Sequence, residues 1–400
     1  MTTKFISSAV LSLAMGLSLL PETAKAATPI LGAPVVNPKE IDSIKAVPGV
    51  HTLGTVGYKP FFATTYSPSQ IRHAYGIDTI NASGAGETIA IVDAYGSPTL
   101  ANDLSIFCKT YGLPQASLSI VYPQGKPLAT DSANLNGWLL ETTLDAEWAH
   151  AIAPSAKIVV VVAKSDGFAD MLNAVDYAAS IGARQVSMSW GSPEFSTEAS
   201  YDSHFNKPNV SFFASSGDHG AGVLWPAVSP YVVGVGGTTL RLDGNGNRIS
   251  ETAWSGSGGG VSAYELEPSY QIGWQFTARR AVPDVSYNAD PNTGYSVYLS
   301  NYYGSTGWIT VGGTSAGTPQ WAALKSILNS MIPVYVNWPE PLYRWAGANA
   351  YSSDFFDVTS GSNGGYSAVY RFDEVTGLGS PNAGNLIREI YRDELAIFLK

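Results

Sequence analysis

The stretch WLLETTLDAEWAHAIAPSAKIVVVVA, residues 138–163, decides the fold. Its first part, up to Ile152, is rich in leucine and alanine, which is typical of a helix, and Ala153-Pro154 ends it because proline cannot continue a helix. Its last part, Lys157–Ala163, is a continuous apolar run of mostly β-branched residues, which is typical of a strand buried on both faces. The stretch therefore predicts a helix followed by a central strand.

The alternation of apolar runs and helical patterns continues on both sides of that stretch. Residues 87–94, 185–190 and 210–215 are predicted to be strands, and residues 100–112 and 168–180 to be helices. Strands that alternate with helices form a parallel sheet whose two faces are both covered. The predicted fold class is therefore α/β, with a mostly parallel central sheet and helices on both faces.

The composition narrows the classes of partner. Charged residues make up 14% of the chain, and the formal net charge is -10. An acidic surface repels the phosphates of nucleic acid and of anionic membranes, so we expect neither as a partner. A chain so poor in charge also suits an acidic medium, but many secreted proteins are simply acidic, and the composition does not decide between these explanations.

The N-terminus has the pattern of a secretory signal. Lys4 supplies a positive charge, residues 5–20 are apolar, and an A-x-A cleavage site ends at Ala26. We predict a signal peptide at residues 1–26 and an extended leader at residues 27–68. The mature chain is then expected to be secreted, either extracellular or periplasmic, with no membrane association once the signal is removed.

Cys108 is the single cysteine, so no intramolecular disulfide can form. It lies in an apolar helical pattern, and we expect a small buried side chain rather than a reactive thiol. A secreted chain without disulfides needs another constraint on its fold, and a bound metal is one candidate.

Two acids lie one turn apart in the predicted helix. Glu141 and Asp145 are four residues apart, so their side chains leave the same face. At that spacing the carboxylates repel each other unless they share a proton, which raises one pKa and couples the two titrations. Such a pair can act as general base in acid, where a histidine is protonated. The alternative is a solvated acidic face, as we expect for Glu147, but the neighbouring side chains are unusually apolar.

A serine stands at a predicted junction between strand and helix. The sequence GGTSAGTP, residues 312–319, joins an apolar strand to an apolar helix, and Ser315 lies at the start of that helix. A hydroxyl there lies near free backbone N–H groups and the positive end of the helix dipole, which favour the negative charge that acyl transfer develops. Ser315 is thus a candidate nucleophile. The alternative is an ordinary N-cap serine.

Asp218 follows another predicted strand. It stands in SSGDHG, residues 215–220, directly after the apolar run that ends at residue 215. Sites in open α/β sheets form at the carboxyl ends of the strands, which is where this acid is placed. A protonated Asp218 could donate a hydrogen bond to an oxyanion. The alternative, a turn aspartate before glycine, is equally open from the residues alone.

Together these segments resemble the sedolisin family of serine-carboxyl peptidases. The resemblance runs from about residue 67 to about residue 381 and includes ETTLDAEWAHAIAP, VSMSWG, SSGDHG and GGTSAGTPQWAAL. The order and spacing of the segments make the resemblance specific. It implies a subtilisin-like fold for a peptidase domain at residues 69–400. Family members usually carry a long folding prodomain, and residues 27–68 are too short to be a full one.

The resemblance implies a role for each candidate residue. Ser315 is the expected nucleophile, Glu141 the general base and acid, and Asp145 the hydrogen-bonded partner of Glu141. Asp218 is the expected donor to the oxyanion. The further matching positions, which can extend the hydrogen-bond chain of the acids, are Asp93 and Trp190.

The resemblance also implies one bound Ca²⁺ near the C-terminus. Carboxylate and carbonyl oxygens are the ligands that Ca²⁺ prefers. This chain departs from the family where glycine-spaced carbonyl donors are usual, but a carbonyl ligand does not need a particular side chain. The alternative is that Asp357 only caps a turn. The expected ligands are the carboxylates of Asp357 and Asp373 and the carbonyls of Val358, Val369 and Arg371.

From these residues we expect a monomeric, secreted endopeptidase that hydrolyses protein or peptide substrates at acidic pH through an acyl-enzyme. One alternative is a catalytically inactive relative that binds peptides in the same groove. A second is a neutral subtilisin-type hydrolase, which needs a histidine where Glu141 stands. A third is a structural surface protein, in which changing Glu141 has no effect on activity.

Overall fold

The structure, a computed structural model, describes residues 41, 43–49, 51–57, 65–128, 130–332, 335–347 and 351–398. The predicted signal peptide, residues 1–26, and the first part of the predicted leader lie outside the described residues. The chain divides after Val35, and every described element belongs to the unit that follows. In that described portion, no helix is both long and apolar enough to cross a membrane.

Helices and strands alternate up to about residue 215, and strands dominate from there to residue 312. The helices of the described chain are α1 (Pro68–Ala74), α2 (Leu100–Tyr111), α3 (Ser132–Ile152), α4 (Phe168–Ser180), α5 (Thr314–Asn329), α6 (Glu340–Trp345), α7 (Tyr351–Asp354) and α8 (Ala383–Phe398). The strands are β1 (Val47–Pro48), β2 (His51–Gly57), β3 (Thr88–Ala94), β4 (Ser117–Val121), β5 (Lys157–Ala163), β6 (Gln185–Met188), β7 (Trp190–Pro193), β8 (Ser211–Ser215), β9 (Leu224–Trp225), β10 (Val232–Leu242), β11 (Arg248–Ala253), β12 (Gly260–Leu266), β13 (Arg279–Val282), β14 (Val285–Asn288), β15 (Tyr295–Tyr302), β16 (Ser305–Gly312), β17 (Phe355–Phe356) and β18 (Ser380–Pro381).

An eight-stranded sheet forms the centre of the unit, with the order β11-β10-β8-β6-β3-β5-β4 and with β14 also paired to β10. The pairs from β10 to β4 and the β10–β14 pair are parallel, and only the edge pair β10–β11 is antiparallel. The predicted α/β class with a mostly parallel sheet is therefore confirmed. The predicted central strand, Lys157–Ala163, is β5 and lies between β3 and β4.

Alternate side chains of the central strands enter two separate cores. Ile158 and Val160 of β5 pack in one core, and Val159 and Val161 pack in the other. Helices α2, α3 and α5 cover the first face of the sheet, and α4 covers the second. Because both faces are buried, the strand shows a continuous apolar run instead of an alternating pattern. Cys108 of α2 is buried in the first core, as predicted.

Helix α3 is buried on all sides from Trp138 to its last residue. The sheet covers one side, and strand β15 covers the other, where the Trp148 indole donates to the carbonyl oxygen of Ser296 at 3.0 Å. Glu147 accepts from the backbone N–H of Tyr298 at 3.1 Å and is buried. The expectation that Glu147 faces water is therefore wrong, because β15 packs on the helix face that would otherwise meet solvent.

Two smaller sheets hold the described part of the leader. Strand β1 pairs with β7 in a sheet of order β1-β7-β9, and β2 pairs with β16 in a sheet of order β15-β16-β2. Both leader pairings are antiparallel. Residues 47–48 and 51–57 of the predicted leader are thus strands, and they pair with two strands whose ends lie next to the candidate site.

Candidate active site

The candidate residues converge at one edge of the central sheet. Asp93 lies near the carboxyl end of β3, Ser189 follows β6, and Asp218 follows β8. These strands are parallel neighbours, so their carboxyl ends meet at the same edge. Helix α3 brings Glu141 to this edge, and α5 begins there with Ser315 in its first turn. The order of the strands thus brings together residues that are far apart in the sequence.

A glycine at the junction of β16 and α5 sets the position of Ser315. Gly313 has a φ of +117°, a backbone conformation that disfavours other residues. A Cβ at this position would also lie 2.4 Å from Asp218 Oδ2. The junction therefore requires glycine both for its turn and for the close approach of the Asp218 carboxyl. Helix α5 begins at the next residue, which places Ser315 in its first turn.

The Ser315 hydroxyl lies beside the Glu141 carboxyl without forming a complete hydrogen bond to it. The proximity of the Ser315 hydroxyl lowers the pKa of Glu141. The hydroxyl itself donates to the carbonyl oxygen of Ser189, over a long distance of 3.4 Å. No described residue donates to either carboxyl oxygen of Glu141. Catalytic hydrogen bonds are often loose before substrate binds, so the pair is placed for proton transfer.

Three buried carboxyl groups lie against one another next to the serine. Burial raises the pKa of Glu141 well above its usual value, and the charges of Asp145 and then Asp93 raise it further. Burial and then the charge of Asp93 raise the pKa of Asp145 well above its usual value. Burial raises the pKa of Asp93 to about 7. Two or three negative charges are too costly in this dry position, so the group retains protons.

Hydroxyl groups flank these acids at a distance. Thr142 lowers the pKa of Asp93, and Ser189 lowers that of Asp145, although neither hydroxyl reaches hydrogen-bond geometry. Buried carboxyl oxygens without a donor are uncommon in a folded protein and mark a candidate functional site. The roles of Thr142 and Ser189 were not predicted, although Ser189 lies within the segment VSMSWG that supports the resemblance.

The Asp218 carboxyl is held by Thr314. Its Oδ1 accepts from the backbone N–H of Thr314 at 2.7 Å and from the Thr314 hydroxyl at 2.8 Å. Burial nevertheless raises the pKa of Asp218 to about 7. Because Oδ1 accepts both bonds, the proton of the neutral acid belongs on Oδ2, the oxygen that faces Gly313. Asp218 is therefore oriented as a donor below about pH 7.

Trp190 does not extend the hydrogen-bond chain of the acids. Its indole N–H donates to the backbone carbonyl of Val92 at 2.7 Å. This bond ties Trp190 to the residue before Asp93, so Trp190 supports the strand that carries the acid instead of contacting the carboxyl group. A sequence motif places the residue near the site, but only packing decides which acceptor its indole reaches.

The histidines with described partners are engaged elsewhere. His73 Nδ1 lies 2.7 Å from an oxygen of Asp78, and His204 Nδ1 lies 2.8 Å from one of Asp176. His150 Nε2 lies 2.7 Å from the carbonyl oxygen of Pro114. The buried groups that raise or lower the pKa of Glu141 are acids and Ser315. None of these three histidines is among the groups that shift the pKa of Glu141.

A cavity of about 840 Å³ opens beside the N-terminal half of α3. Its walls include Tyr95, which follows Asp93 by two residues, and Leu139, which precedes Glu141 by two. The cavity is lined by neither Ser315 nor the acids of the site. It has room for the side chain of a bound peptide.

The expected calcium ligands lie in one loop near the C-terminus. Both carboxyl oxygens of Asp357 accept from the backbone N–H of Arg371, at 3.0 and 3.1 Å. The buried carboxyl of Asp373 accepts from the backbone N–H of Val369 at 3.1 Å. The segment from Val369 to Arg371 is therefore held between the two carboxylates, and the predicted ligands come together.

The donor set in this loop fits a hard cation. The carbonyl of Val358 is buried, and no described backbone N–H donates to it, to the carbonyl of Val369 or to that of Arg371. Burial raises the pKa of Asp373 to about 6, so its carboxylate lies in a dry position. Within the described ranges, no group of three or more acid, histidine or cysteine side chains is arranged to hold a metal. The calcium site expected here would use two carboxylate side chains, and its other ligands would be backbone carbonyls. Carbonyls without described backbone donors, the buried carboxylate of Asp373 and the half-buried one of Asp357 match the ligands of Ca²⁺.

Comparison with known proteins supports the architecture. A model of the subtilase family matches residues 130–345. Kumamolisin from Bacillus sp. (strain MN-32) is 33% identical over 382 residues, which cover 82% of this chain and 64% of kumamolisin. Sedolisin from Pseudomonas sp. (strain 101) is 34% identical over 204 residues, 44% of this chain and 34% of that protein. The chain thus spans less than two thirds of the length of these relatives.

Solved structures give the same result. One similar structure is that of Pseudomonas sedolisin, a serine-carboxyl proteinase complexed with two molecules of pseudo-iodotyrostatin. It superposes with a TM-score of 0.73 at 28% identity, and the alignment covers 84% of this chain and 100% of the sedolisin chain. A lanthipeptide protease superposes with a TM-score of 0.52 at 13% identity over 84% of this chain and 100% of that one, and this similarity concerns the fold alone. The predicted subtilisin-like fold is confirmed.

The raised pKa of Asp218 predicts how stability changes with pH. Between an unfolded pKa of about 4 and the folded value of about 7, only the folded state keeps this proton, so the free energy of unfolding falls as pH rises, by up to about 1.4 kcal/mol per pH unit. In a Ser315→Ala background, which cannot digest itself, Asp218→Asn should make this slope shallower. Urea unfolding at a series of pH values measures it.

A matched control uses an acid outside the site whose pKa shift has the opposite sign. The hydrogen bonds of Asn247 lower the pKa of Asp243, so this carboxylate is ionised in both states above about pH 5. Asp243→Asn should leave the slope unchanged. Equal slopes for the parent and the Asp218→Asn chain would show that Asp218 is not protonated in the folded protein.

Proposed function

The chain belongs to the sedolisin family of serine-carboxyl peptidases, and from this premise we propose that it hydrolyses peptide bonds with Ser315 as nucleophile, Glu141 as general base and Asp145 as its partner. The observation that carries the proposal is the convergence of the Ser315 hydroxyl, a buried cluster of proton-sharing carboxyls and the oriented carboxyl of Asp218 at one edge of the sheet.

The first step is attack on the peptide carbonyl. Ser315 Oγ adds to the carbonyl carbon while its proton passes to the ionised carboxylate of Glu141. Burial, and then the charges of Asp145 and Asp93, raise the pKa of Glu141, so its ionised form binds a proton more strongly than an ordinary glutamate does. A carboxylate base stays usable in acid, where a histidine would be protonated.

The second element is stabilisation of the oxyanion. Neutral Asp218 donates from Oδ2 to the tetrahedral oxygen, since Thr314 occupies Oδ1. The backbone N–H of Ser315 lies in the first turn of α5, where N–H groups have no partner within the helix, and serves as a second donor. Preorganised donors in a buried site are the largest single contribution to catalysis in many acyl transfers.

Collapse of the tetrahedral intermediate forms an acyl-enzyme, and hydrolysis of the acyl-enzyme completes the reaction. Glu141 returns its proton to the leaving amine, the C–N bond breaks, and an ester forms between the acyl half and Ser315. Water, activated by the same carboxylate, then hydrolyses the ester. Each proton taken by Glu141 is returned in the same half-reaction, so the acid cluster ends in its starting protonation state.

Protein or peptide chains are the proposed substrates, cleaved outside the cytoplasm. The cavity that Tyr95 and Leu139 line beside α3 has room for substrate side chains. The signal pattern at residues 1–26 supports secretion. Peptide binding without hydrolysis, the alternative noted from the sequence, would require an inert Ser315.

Substitution of the nucleophile or the base should abolish hydrolysis. Ser315→Ala and Glu141→Gln should each lower kcat on a quenched fluorescent peptide by at least about 10³-fold, because residues that act as a unit lose nearly all activity when one is removed. Casein digestion at acidic pH gives a second readout.

Glu147→Gln is the matched control, since this acid lies on the same helix and is equally buried. Glutamine keeps an acceptor for the N–H of Tyr298, so the fold is preserved. We expect activity within about threefold of the parent. Equal activity of Glu141→Gln and Glu147→Gln would overturn the assignment of the base.

The rate should fall as pH rises through about 7. Asp218 loses its proton near that pH, and the resulting carboxylate repels the oxyanion instead of donating to it. The maximum of kcat/KM is therefore expected on the acid side of pH 7. An asparagine donates at every pH, so Asp218→Asn should move the alkaline limb of the profile to higher pH; an unmoved limb would assign that limb to another group.

We further propose that one Ca²⁺ stabilises the C-terminal loop. The ion would be held by the carboxylates of Asp357 and Asp373 and by the backbone carbonyls of Val358, Val369 and Arg371. The bound ion would neutralise the two carboxylates, which accept from the backbone of the same segment, residues 369–371. It would stabilise the fold and take no part in the bond cleavage.

Removal of the ion should lower the melting temperature. In the Ser315→Ala background, a calcium chelator is expected to lower Tm by at least about 2 °C, because a ligand bound only by the folded state stabilises it. Asp373→Asn should have a lower Tm that the chelator does not change, whereas Asp243→Asn should respond as the parent does. A parent Tm unaffected by the chelator would reject the site.

A further inference from the structure

A second group of acids takes no part in the mechanism proposed above. Its members come from the loop after β7, from a short 3-10 helix at Glu198–His204 and from β12. Three of them are at most 7% exposed, and the fourth is half-buried. This second acid group consists of Glu194, Glu198, Asp202 and Glu265.

Glu194 connects the segment after β7 to β12. Its carboxyl accepts from the Ser262 hydroxyl and, at 3.1 Å, from the backbone N–H of Ala263. The Ser262 oxygen accepts in turn from the backbone N–H of Glu265 at 2.7 Å, so the hydroxyl keeps its single proton for Glu194. Glu194 thus accepts two bonds from β12, which is the role of an ionised carboxylate.

Glu198 is the neighbour of Glu194 that keeps a proton. Its Oε2 accepts from the backbone N–H of Phe195 at 2.8 Å, whereas its Oε1 is buried and accepts from no described residue. Burial is the largest cause that raises the pKa of Glu198, to about 10, and Glu194 adds to the rise through its charge and a hydrogen bond. The proton of Glu198 therefore belongs on Oε1.

Asp202 and Glu265 form a second pair that also lacks donors. Asp202 Oδ1 and Glu265 Oε1 are buried, and no described residue donates to either oxygen. Burial and then the charge of Asp202 raise the pKa of Glu265 to about 8, and burial raises the pKa of Asp202 to about 6. The pair therefore keeps a proton into the neutral range.

The cations that face the second acid group do not neutralise it. Arg280 and, less strongly, Arg279 lower the pKa of Glu265. The Arg280 guanidinium donates to both carboxyl oxygens of Asp284, at 2.8 and 2.5 Å, and burial raises the pKa of Tyr270, which stays neutral. If all four acids ionised, they and Asp284 would be five carboxylates facing two guanidinium groups. Such an excess of negative charge is unfavourable where water is excluded.

The two segments that these acids join also hold the active site. Strand β7 begins directly after Ser189, whose carbonyl oxygen accepts from Ser315 Oγ. Just before β12, the backbone N–H of Gly258 donates to the carbonyl oxygen of Gly217 at 2.7 Å, and Gly217 precedes Asp218. Separation of β7 from β12 would therefore displace both the carbonyl beside the nucleophile and the loop that carries Asp218.

We propose that the second acid group is a proton-dependent clasp, which joins β7 to β12 while its two pairs hold protons and lets them separate when the pairs ionise in less acidic solution. The clasp limits the pH range over which the cleft keeps its shape, separately from the protonation of Asp218. The clasp itself does not depend on the proposed peptidase function, whereas its effect on activity rests on that function.

The direction of the pH response follows from the raised pKa values. Once the segments separate, the carboxyls meet water and titrate near about 4. Between that pH and about 8 the closed clasp binds protons that the open form does not. The closed form is therefore fully stabilised below the lower value and loses stability as pH rises, with the opening equilibrium changing about tenfold per pH unit for each proton lost.

The first experiment measures hydrogen exchange in the full-length Ser315→Ala chain, which cannot digest itself. The backbone N–H groups of Ala263 and Phe195 report on the clasp, because their acceptors are two of its carboxyls. After correction for the intrinsic pH dependence, their exchange should accelerate at least about tenfold between about pH 6 and about pH 9. Exchange in β5, Lys157–Ala163, is the reference and should not accelerate. Exchange at Ala263 and Phe195 that matches the reference would overturn the proposal.

The second experiment replaces the protons of the clasp. In the double variant Glu198→Gln, Glu265→Gln, each amide donates at every pH, so the acceleration should disappear. The single variant Glu198→Gln should remove part of it and decides the matter if the double variant does not fold. Acceleration that persists unchanged in the variants would overturn the role of these protons.

Glu147→Gln is the matched control for these variants. Glu147 is another buried glutamate whose pKa burial raises, but it lies on α3 outside the clasp. Glu147→Gln should show the parental acceleration at Ala263 and Phe195. An equal loss of acceleration in this control would show that buried acids in general, and not the clasp, set the response.

The third experiment uses activity. Asp218→Asn donates at every pH, so the fall in its rate above about pH 8 should report the clasp alone, and adding Glu198→Gln and Glu265→Gln should move this fall upward by at least about one pH unit. A fall at the same pH in both chains would overturn the control of the cleft by the clasp. An active chain without accelerated exchange overturns the clasp and leaves the peptidase function intact, whereas a chain inactive at every pH with accelerated exchange does the reverse.

Discussion

Desolvation of a carboxyl cluster is the constraint around which the site is built. Glu141, Asp145 and Asp93 share one dry position, and burial is the largest cause of the raised pKa of each. No lysine or arginine is among the groups that shift these pKa values, so the acids must keep protons. A cluster that shares protons holds both a carboxylate that can accept a proton and a carboxylic acid that can return one, which suits the general base proposed for Glu141.

The central sheet makes this desolvation possible. Two cores, one on each face, bury β3 and β5 completely, and α3 is enclosed between the sheet and β15. The apolar area buried there offsets the unfavourable burial of polar carboxyl groups. The same parallel strands bring their carboxyl ends to one edge, so that the residues following β3, β6 and β8 meet the start of α5.

The glycine junction before α5 connects Glu141, Ser315 and Asp218, the proposed base, nucleophile and donor. Gly313 brings Ser315 into the first helical turn and leaves space above itself for the Asp218 carboxyl and the Gly49 carbonyl. Thr314 orients Asp218 from the same turn. One short segment thus sets the position of the Ser315 hydroxyl relative to the Asp218 carboxyl.

The sequence alone determined the elements and the chemistry of their residues. The apolar run 157–163 and the helix 168–180 appear with those bounds, and the i, i+4 spacing placed Glu141 and Asp145 on one face, because these properties depend on local periodicity. It did not determine that Glu147 is buried or that Trp190 bonds to Val92. Nor did it place Gly49 beside Ser315. Only the tertiary structure decided these, because strand order and packing set which distant side chains share one dry space, and no local pattern records that.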